Sequence, residues 1–303
     1  MHSVHSDGEL TPEELVAAAR AAGLDFLATT EHNTADGHGV WGCAGDDLVV
    51  ILGEEVTTRT GHWLALGLAP GQVVDWRYGV RDGVLDRGLD EVHRVGGLAV
   101  VCHPYAPYPG GTFMYPYDGF DLVEVWNGAW SSDRPWQAEN EKALAEWGRL
   151  LAADVHRGRW RPAIGSSDAH LAGQLALPHT VVFAEEPSPA AILDGLRAGR
   201  SWIAGSAAVE LSFTVHGGGG SAGIGGTLRG GGPVAVRVRV GGVPSGTVQL
   251  HTERGRAYTA GLPPEGSGTV EWATDAGESG FVRAEVRHPD GAMAAVTNPV
   301  LLE

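Results

Sequence analysis

The sequence predicts two folded parts: an α/β region over residues 1–205 and a small all-β region over residues 206–303. Three observations carry this. The chain has 303 residues, 43% of them hydrophobic and 19% charged, a globular composition of a length that suits about two domains. The first 205 residues hold ten of the 13 His and nine of the ten Trp, whereas the last 98 hold 20 of the 46 Gly. The apolar pattern also changes at that boundary, from alternating helix and strand segments to short period-two runs.

In chain order, Thr11-Pro12-Glu13-Glu14 opens a helix. Thr11 can cap, Pro12 suits the first helical position and Glu14 completes a capping box. Gly23 stops it. Phe26-Leu27-Ala28-Thr29-Thr30 is a short buried strand, and further strands read at Leu48-Val49-Val50-Ile51-Leu52, Leu98-Ala99-Val100-Val101, Leu122-Val123-Glu124-Val125-Trp126 and Ala163-Ile164. Helices read over 84–95, 137–152 and 189–198. Repeated βα units imply a parallel sheet with helices outside it, a barrel or an open sheet. Beyond residue 205, Val234-Ala235-Val236-Arg237-Val238-Arg239-Val240 alternates apolar with polar. So do Thr247-Val248-Gln249-Leu250-His251 and Phe281-Val282-Arg283-Ala284-Glu285-Val286-Arg287. Short strands of this kind between Gly-rich turns imply a small β-sandwich.

The formal charge of −16 argues against wrapping by long nucleic acid and against docking on anionic lipid. No apolar run reaches membrane-spanning length. The opening Met1-His2-Ser3-Val4-His5-Ser6-Asp7 lacks the basic and apolar regions of an export signal, so the expectation is a soluble, cytoplasmic protein. Cys43 and Cys102 are too few for a disulfide framework, and Cys102 reads as a buried thiol.

Polar residues recur where strands end. His32 follows Thr30, Glu54 and Glu55 follow Leu52-Gly53, His103 follows Val101-Cys102, and Asp168 and His170 follow Ile164-Gly165-Ser166-Ser167. His2, His5 and Asp7 lie in the opening segment, and His62 starts the apolar run from Trp63 to Leu68. Active sites of α/β folds form at strand C-termini. Imidazole with carboxylate is the donor set for Zn²⁺, Mn²⁺ or Fe²⁺. His38, in a Gly-flanked loop, is undecided. His93, His156, His179, His216, His251 and His288 read as surface or core residues.

The segments His2-Ser3-x-x-Ser6-Asp7-Gly8, Thr30-Glu31-His32-Asn33, Gly53-Glu54-Glu55-Val56-Thr57, Gly61-His62, His103-Pro104 and Ser167-Asp168-Ala169-His170 are short and individually weak. In this order and spacing they resemble the motifs of the PHP (polymerase and histidinol phosphatase) superfamily, most closely its carbaryl-hydrolase-like branch. Val123-Glu124-Val125-Trp126-Asn127 and Thr297-Asn298-Pro299 also resemble that branch. The resemblance implies a distorted (β/α)7 barrel over 1–205, ahead of the Gly-rich, Ig-like β-sandwich that the strand pattern predicts over 206–303. It implies two or three divalent metal ions (Mn²⁺, Zn²⁺ or Fe²⁺) held by His2, Asp7, His32, Glu55, His62, His103, Asp168 and His170, with Glu55 bridging two of them. Glu54 is then a neighbouring strand-end carboxylate. The family's opening motif is His-x-His. Here His2 is its second histidine and Met1 stands at x, so the expectation is a natural start further upstream, or else water or the Met1 α-amino group in the vacant ligand place.

Clustered divalent ions turn a bridging water into hydroxide near neutral pH and neutralise substrate oxygens. The resulting reading is a metal-dependent hydrolase, a phosphoesterase acting on phosphomonoesters or phosphodiesters of a small molecule or short nucleotide. Asp7, Glu55, Asp168 and His170 are the expected catalytic residues. Arg59 and Arg134 lie in rim loops and can hold phosphate by bidentate contacts, and His5 can touch substrate. The Tyr-, Trp- and Pro-rich segment 104–136 is expected to shape the pocket. The same metal centre can attack a carbamate, ester or amide carbonyl, which is the alternative reading. A degenerate barrel serving as a binding module is the second alternative. The expected partner is a small-molecule substrate, with no long nucleic acid and no membrane.

Overall fold

The computed structural model describes residues 1–128 and 136–303, which form two compact units. The first comprises Met1–Leu144, Ile164–Pro178 and Ala184–Arg197; the second comprises Ala145–Ala163, His179–Phe183 and Ala198–Glu303. Among the described residues no helix is long and apolar enough to cross a membrane. Arg134 lies outside the described residues.

The first unit begins with α1 (Pro12–Ala21), whose capping box is formed: Glu14 N donates to Thr11 Oγ1 at 3.3 Å and Thr11 N to Glu14 Oε2 at 2.9 Å. The strands are β1 (Phe26–His32), β2 (Val49–Thr58), β3 (Gly61–Leu66), β4 (Leu98–Val101), β5 (Leu122–Asn127) and β6 (Ala163–Ser166), hydrogen-bonded in that order in one six-stranded sheet. α2 (Leu85–Arg94) precedes β4, α3 (Trp136–Asp154) follows β5, and α4 (Pro189–Arg197) follows β7 (His179–Val182).

This is a mixed α/β fold, but not the expected complete (β/α)7 barrel. β1 runs parallel to β2 and β4 to β5, whereas β2–β3 and β3–β4 are antiparallel. The reason is the connection: only Arg59 and Thr60 separate β2 from β3. A parallel crossover needs a dozen or more residues, so the chain must turn back as a hairpin. Gly61, at φ +123°, completes the turn, and a Cβ there would stand 2.6 Å from the Phe113 backbone. The segment after His103 runs as turns up to β5, held by its aromatic residues. Phe113 packs its ring 5.4 Å from those of Tyr115 and Phe120, and the Tyr115 hydroxyl meets Thr58 Oγ1 at 2.8 Å.

The second unit holds β8 (Ser201–Ala204), β9 (Glu210–Gly217), β10 (Gly220–Gly223), β11 (Thr227–Leu228), β12 (Pro233–Gly241), β13 (Thr247–Thr252), β14 (Gly255–Gly261), β15 (Gly268–Asp275), β16 (Phe281–Arg287), β17 (Met293–Thr297) and β18 (Val300–Leu302). One sheet has the order β10-β9-β12-β15; the other has β11-β18-β16-β17-β8-β7, with β13 and β14 joined through β16. β12 buries every second residue, and Val234, Val236, Val238 and Val240 enter one apolar core with Val248, Leu250, Ala284 and Val286 of the other sheet. The unit does not start at residue 205: β7, β8 and the segment 145–163 belong to it. Trp147 shows why. Its ring lies under the Arg283 guanidinium at 5.0 Å, and its Nε1 donates to Arg161 O at 2.7 Å.

Asn298 is 1% exposed. Its amide donates to Ala163 O, Ser201 O and Ser201 Oγ, each at 3.0 Å, and its oxygen accepts from Ala163 N at 2.7 Å. Asn298→Ala strands a buried N–H and buried carbonyls, so it is expected to destabilise the unit by about 3 kcal/mol. A urea midpoint equal to the parent's would refute that expectation.

His251 faces Arg283, Glu285, Arg256 and Arg287. Burial first, then the Arg283 charge, lower its pKa to about 4. An unfolded histidine protonates near 6.5 while the folded one resists. Its contribution to stability is therefore complete above pH 6.5 and is lost as pH falls toward 4, by roughly 3 kcal/mol at most. His251→Gln should flatten that part of the pH–stability curve; parallel curves for both proteins between pH 6.5 and 4 would contradict this.

Candidate metal centre

The sheet register brings the ligand-type residues together. In the parallel pair β1–β2, His32 stands opposite Glu55. In the hairpin, Glu55 pairs with Leu64 and Thr57 with His62, so Glu55 and His62 are diagonal neighbours on one face. Cys102 N donates to His62 O at 3.3 Å, which brings His103 beside them. The opening segment lies between β1 and the turn after β6. His2 N donates to Ala169 O at 2.9 Å, Glu9 N to His170 O at 2.8 Å, and Thr30 N to Met1 O at 3.2 Å.

Two carboxylates organise the imidazoles. Glu55 Oε1 lies 2.7 Å from His62 Nδ1 and 3.2 Å from His103 Nε2, while Oε2 lies 3.0 Å from His2 Nε2 and 3.9 Å from His32 Nδ1. Asp7 reaches His170 at 3.3 Å, His32 at 3.5 Å and His2 at 3.6 Å. The rings of His32, His2 and His170 stack, with centroids 4.3 and 4.1 Å apart. Asp168 Oδ1 is 3.1 Å from His2 Nε2. All eight expected ligands thus belong to groups whose donor atoms lie within 4.8 Å of one another: His2 with Asp7, His32 and His170; His32 with Glu55 and His62; Glu55 with Cys102 and His103; and His2 with Glu55 and Asp168. A nitrogen and oxygen donor set this compact fits Zn²⁺, Mn²⁺ or Fe²⁺.

The electrostatics follow from that crowding. Burial opposes the charge on Glu55, but the bonds from His103 and His2, and the His32 charge, hold it well below the usual carboxylate range. Burial opposes the charge on Asp168 as well, and the His2 bond outweighs it and holds the carboxyl low. Burial would lower the pKa of His2, yet Asp168 and Glu55 carry it up to about 9. His103 also rises to about 9, through Glu55 against its burial. His32, more buried than compensated, falls below its ordinary value.

A layer of buried polar residues supports the candidate ligands. Glu124 accepts from His103 N at 2.7 Å, from Asn127 Nδ2 at 3.2 Å and from the Ser166 hydroxyl. Asn127 Nδ2 also donates to Asp168 Oδ2 at 3.2 Å. These bonds hold two residues with left-handed backbone, His103 (φ 23°) and Asp168 (φ 46°), a conformation that L-residues adopt at a cost of order 1–3 kcal/mol and that clusters at functional sites. Gly128 permits the approach behind them, since a Cβ there would fall 1.9 Å from Ser167 O. Glu124 and Asn127 had one legible signal, polar residues inside an apolar strand; buried Glu31 and Ser3 and half-buried Ser6 stood in the quoted segments with no role assigned to them.

Other expected residues are placed elsewhere or used otherwise. Arg59 pairs with Asp82 and is 64% exposed. His5 packs its ring beside Gly37, 3.4 Å from where a Cβ would stand. Neither joins a ligand group among the described residues. His38 is structural: one nitrogen lies 3.0 Å from Gly53 O and the other accepts from Gly71 N at 3.2 Å. Glu54, on the opposite face of β2 from Glu55, accepts from Val74 N at 2.7 Å, and burial pushes it up to about 7. Cys102 lies within ligand reach of Glu55 and His103, but burial, then Glu124, holds its thiol protonated, and it bonds Glu124 at 3.4 Å. The Met1 α-amino group donates to Thr30 Oγ1 at 2.8 Å.

No curated protein matches the chain. A solved structure described as a metal-dependent phosphoesterase, from Bifidobacterium adolescentis, is 20% identical over 56% of this chain and 85% of its own, with a TM-score of 0.37. An amidohydrolase from Chromobacterium violaceum, solved with sulfate and no metal, is 18% identical over 57% of this chain and 87% of its own, with a TM-score of 0.34. Residues 150–201, a stretch that contains β6, Asp168 and His170, match the model of the PHP-associated family.

Proposed function

We propose that the chain is a metal-dependent hydrolase of the PHP superfamily, of the carbaryl-hydrolase-like branch, and that it cleaves phosphomonoesters or phosphodiesters of a small molecule or short nucleotide. The observation that supports this most is the convergence of five imidazoles on Asp7, Glu55 and Asp168. The two oxygens of Glu55 face different histidine pairs, which suits a carboxylate shared by two ions. Two or three ions of Mn²⁺, Zn²⁺ or Fe²⁺ held there would supply Lewis acidity and an activated water. The chain's own residues supply the rest. Asp7, 57% exposed beside the 24% exposed His32, marks the open side, from which substrate would enter. Buried Glu55, His2 and His103 form the water-poor floor. Asp7 and His170, 3.3 Å apart, can pass a proton at that mouth. A soluble cytoplasmic protein with a small-molecule substrate completes the reading.

The test is metal analysis of the purified protein, run with p-nitrophenyl phosphate, bis-p-nitrophenyl phosphate and an aryl carbamate, each with Mn²⁺ and Zn²⁺. Bound transition metal with turnover of a phosphoester is the expected result. Turnover of the carbamate alone would move the chain to carbonyl chemistry, and metal-free, inactive protein would overturn the enzyme reading.

A further inference from the structure

Glu31 precedes His32 on β1, is 1% exposed and has no task as a ligand. The opening segment is fastened to it. Ser3 N lies 3.0 and 3.1 Å from its two oxygens, Ser3 Oγ lies 2.5 Å from Oε1, and the Ser6 hydroxyl bonds Oε2. Ser6 Oγ also lies 3.3 Å from His2 Nδ1. A hydroxyl has one proton to give and two lone pairs, whereas a carboxylate only accepts. The Ser6 proton therefore points at Glu31, and His2 Nδ1 meets a lone pair. That contact is a hydrogen bond only if Nδ1 carries hydrogen. The proton that a cation must displace is then the one on the other ring nitrogen, Nε2, which lies 3.0 Å from Glu55 Oε2 and 3.1 Å from Asp168 Oδ1.

We propose that Glu31, acting through the Ser6 hydroxyl, is the positioning residue that keeps hydrogen on His2 Nδ1 and frees Nε2 for a divalent cation. The inference rests on reading the centre as a metal site. Ser3 adds the backbone anchor, so one buried carboxylate sets both the place of the opening segment and the orientation of its ring. Outer-layer partners of ligating histidines are worth about 10- to 100-fold in metal affinity.

The experiment measures Zn²⁺ affinity, by chelator competition, for the parent, Ser6→Ala, Ser6→Thr and Glu31→Gln. The melting temperature of each metal-free protein is measured as well. Long-range ¹H–¹⁵N spectra of the Zn²⁺-loaded parent locate the His2 hydrogen. Ser6→Ala is expected to weaken Zn²⁺ binding roughly 10- to 100-fold with little change in melting, and Ser6→Thr to restore it. The spectra should show hydrogen on Nδ1 and a zinc-shifted Nε2. Glu31→Gln should weaken binding too; if that variant fails to fold, the Ser6 pair still decides. Zn²⁺ uptake by Ser6→Ala equal to the parent's, or hydrogen on Nε2, would overturn the relay alone. A parent that takes up no Zn²⁺ would overturn the metal reading and this inference with it.

Discussion

Glu55→Gln is expected to remove at least one bound metal ion per chain and to lower hydrolysis by about 10³-fold or more, since the charge stabilisation supplied by a bound ion is worth several kcal/mol. Glu55 is fully enclosed, and both its oxygens meet imidazoles. The amide keeps the shape but removes the charge, and it offers a donor where a cation needs an acceptor. The same change should return His2 and His103 toward ordinary histidine pKa values, because Glu55 helps hold both at about 9. Metal content and turnover, measured together, check it. A variant with full metal content and more than half the parent activity would remove Glu55 from the centre.

Metal affinity should climb steeply with pH. Without metal, His2 and His103 keep their protons to about pH 9, and each must release its proton to ligate. Because both pKa values are raised, protons compete best at low pH. Below about 7 the cation is opposed by both imidazolium groups, and above 9 by neither. The expected gain between pH 6.5 and 9 is about two orders of magnitude for each histidine engaged. Zn²⁺ titrations at several pH values, with calorimetry in two buffers to count released protons, give the slope. A flat profile with no proton release would show that neither imidazole ligates.

Most of the candidate ligands were visible in the sequence because their signal is local, a His, Asp or Glu beside an apolar run; His2 and Asp7, in the opening segment, were assigned through the resemblance. The choice of Glu55 over Glu54 came from the resemblance, and the structure puts the two on opposite faces of β2, with Glu54 bonded to Val74 N. Strand direction was less legible. An apolar run such as Trp63 to Leu68 looks the same whichever way it pairs, and only the two-residue link at Arg59-Thr60 betrays the hairpin. Arg59 illustrates another limit. Sequence places it in a turn but says nothing of Asp82, 23 positions away, which takes its charge. The Glu31–Ser6–His2 contacts were invisible for a similar reason, since serines and a glutamate acquire meaning only through a fold that brings position 31 against positions 3 and 6. The domain boundary near 205 rested on composition, which does not register Trp147 packing against Arg283.

His2 and Asp168 are 166 positions apart in sequence and 3.1 Å apart in space. A cation shared by them would act as a clasp on one of the longest loops of the first unit. Closing such a loop is entropically unfavourable and gains nothing until the intervening strands are in place. The clasp therefore belongs to the last stage of folding, after the transition state. Interactions formed that late slow unfolding and leave the folding rate nearly unchanged. Zn²⁺ should lengthen the lifetime of the folded chain against heat and proteases while barely affecting how fast it refolds. Stopped-flow rates with and without Zn²⁺ would show this, and a Zn²⁺-accelerated refolding limb would place the clasp early instead.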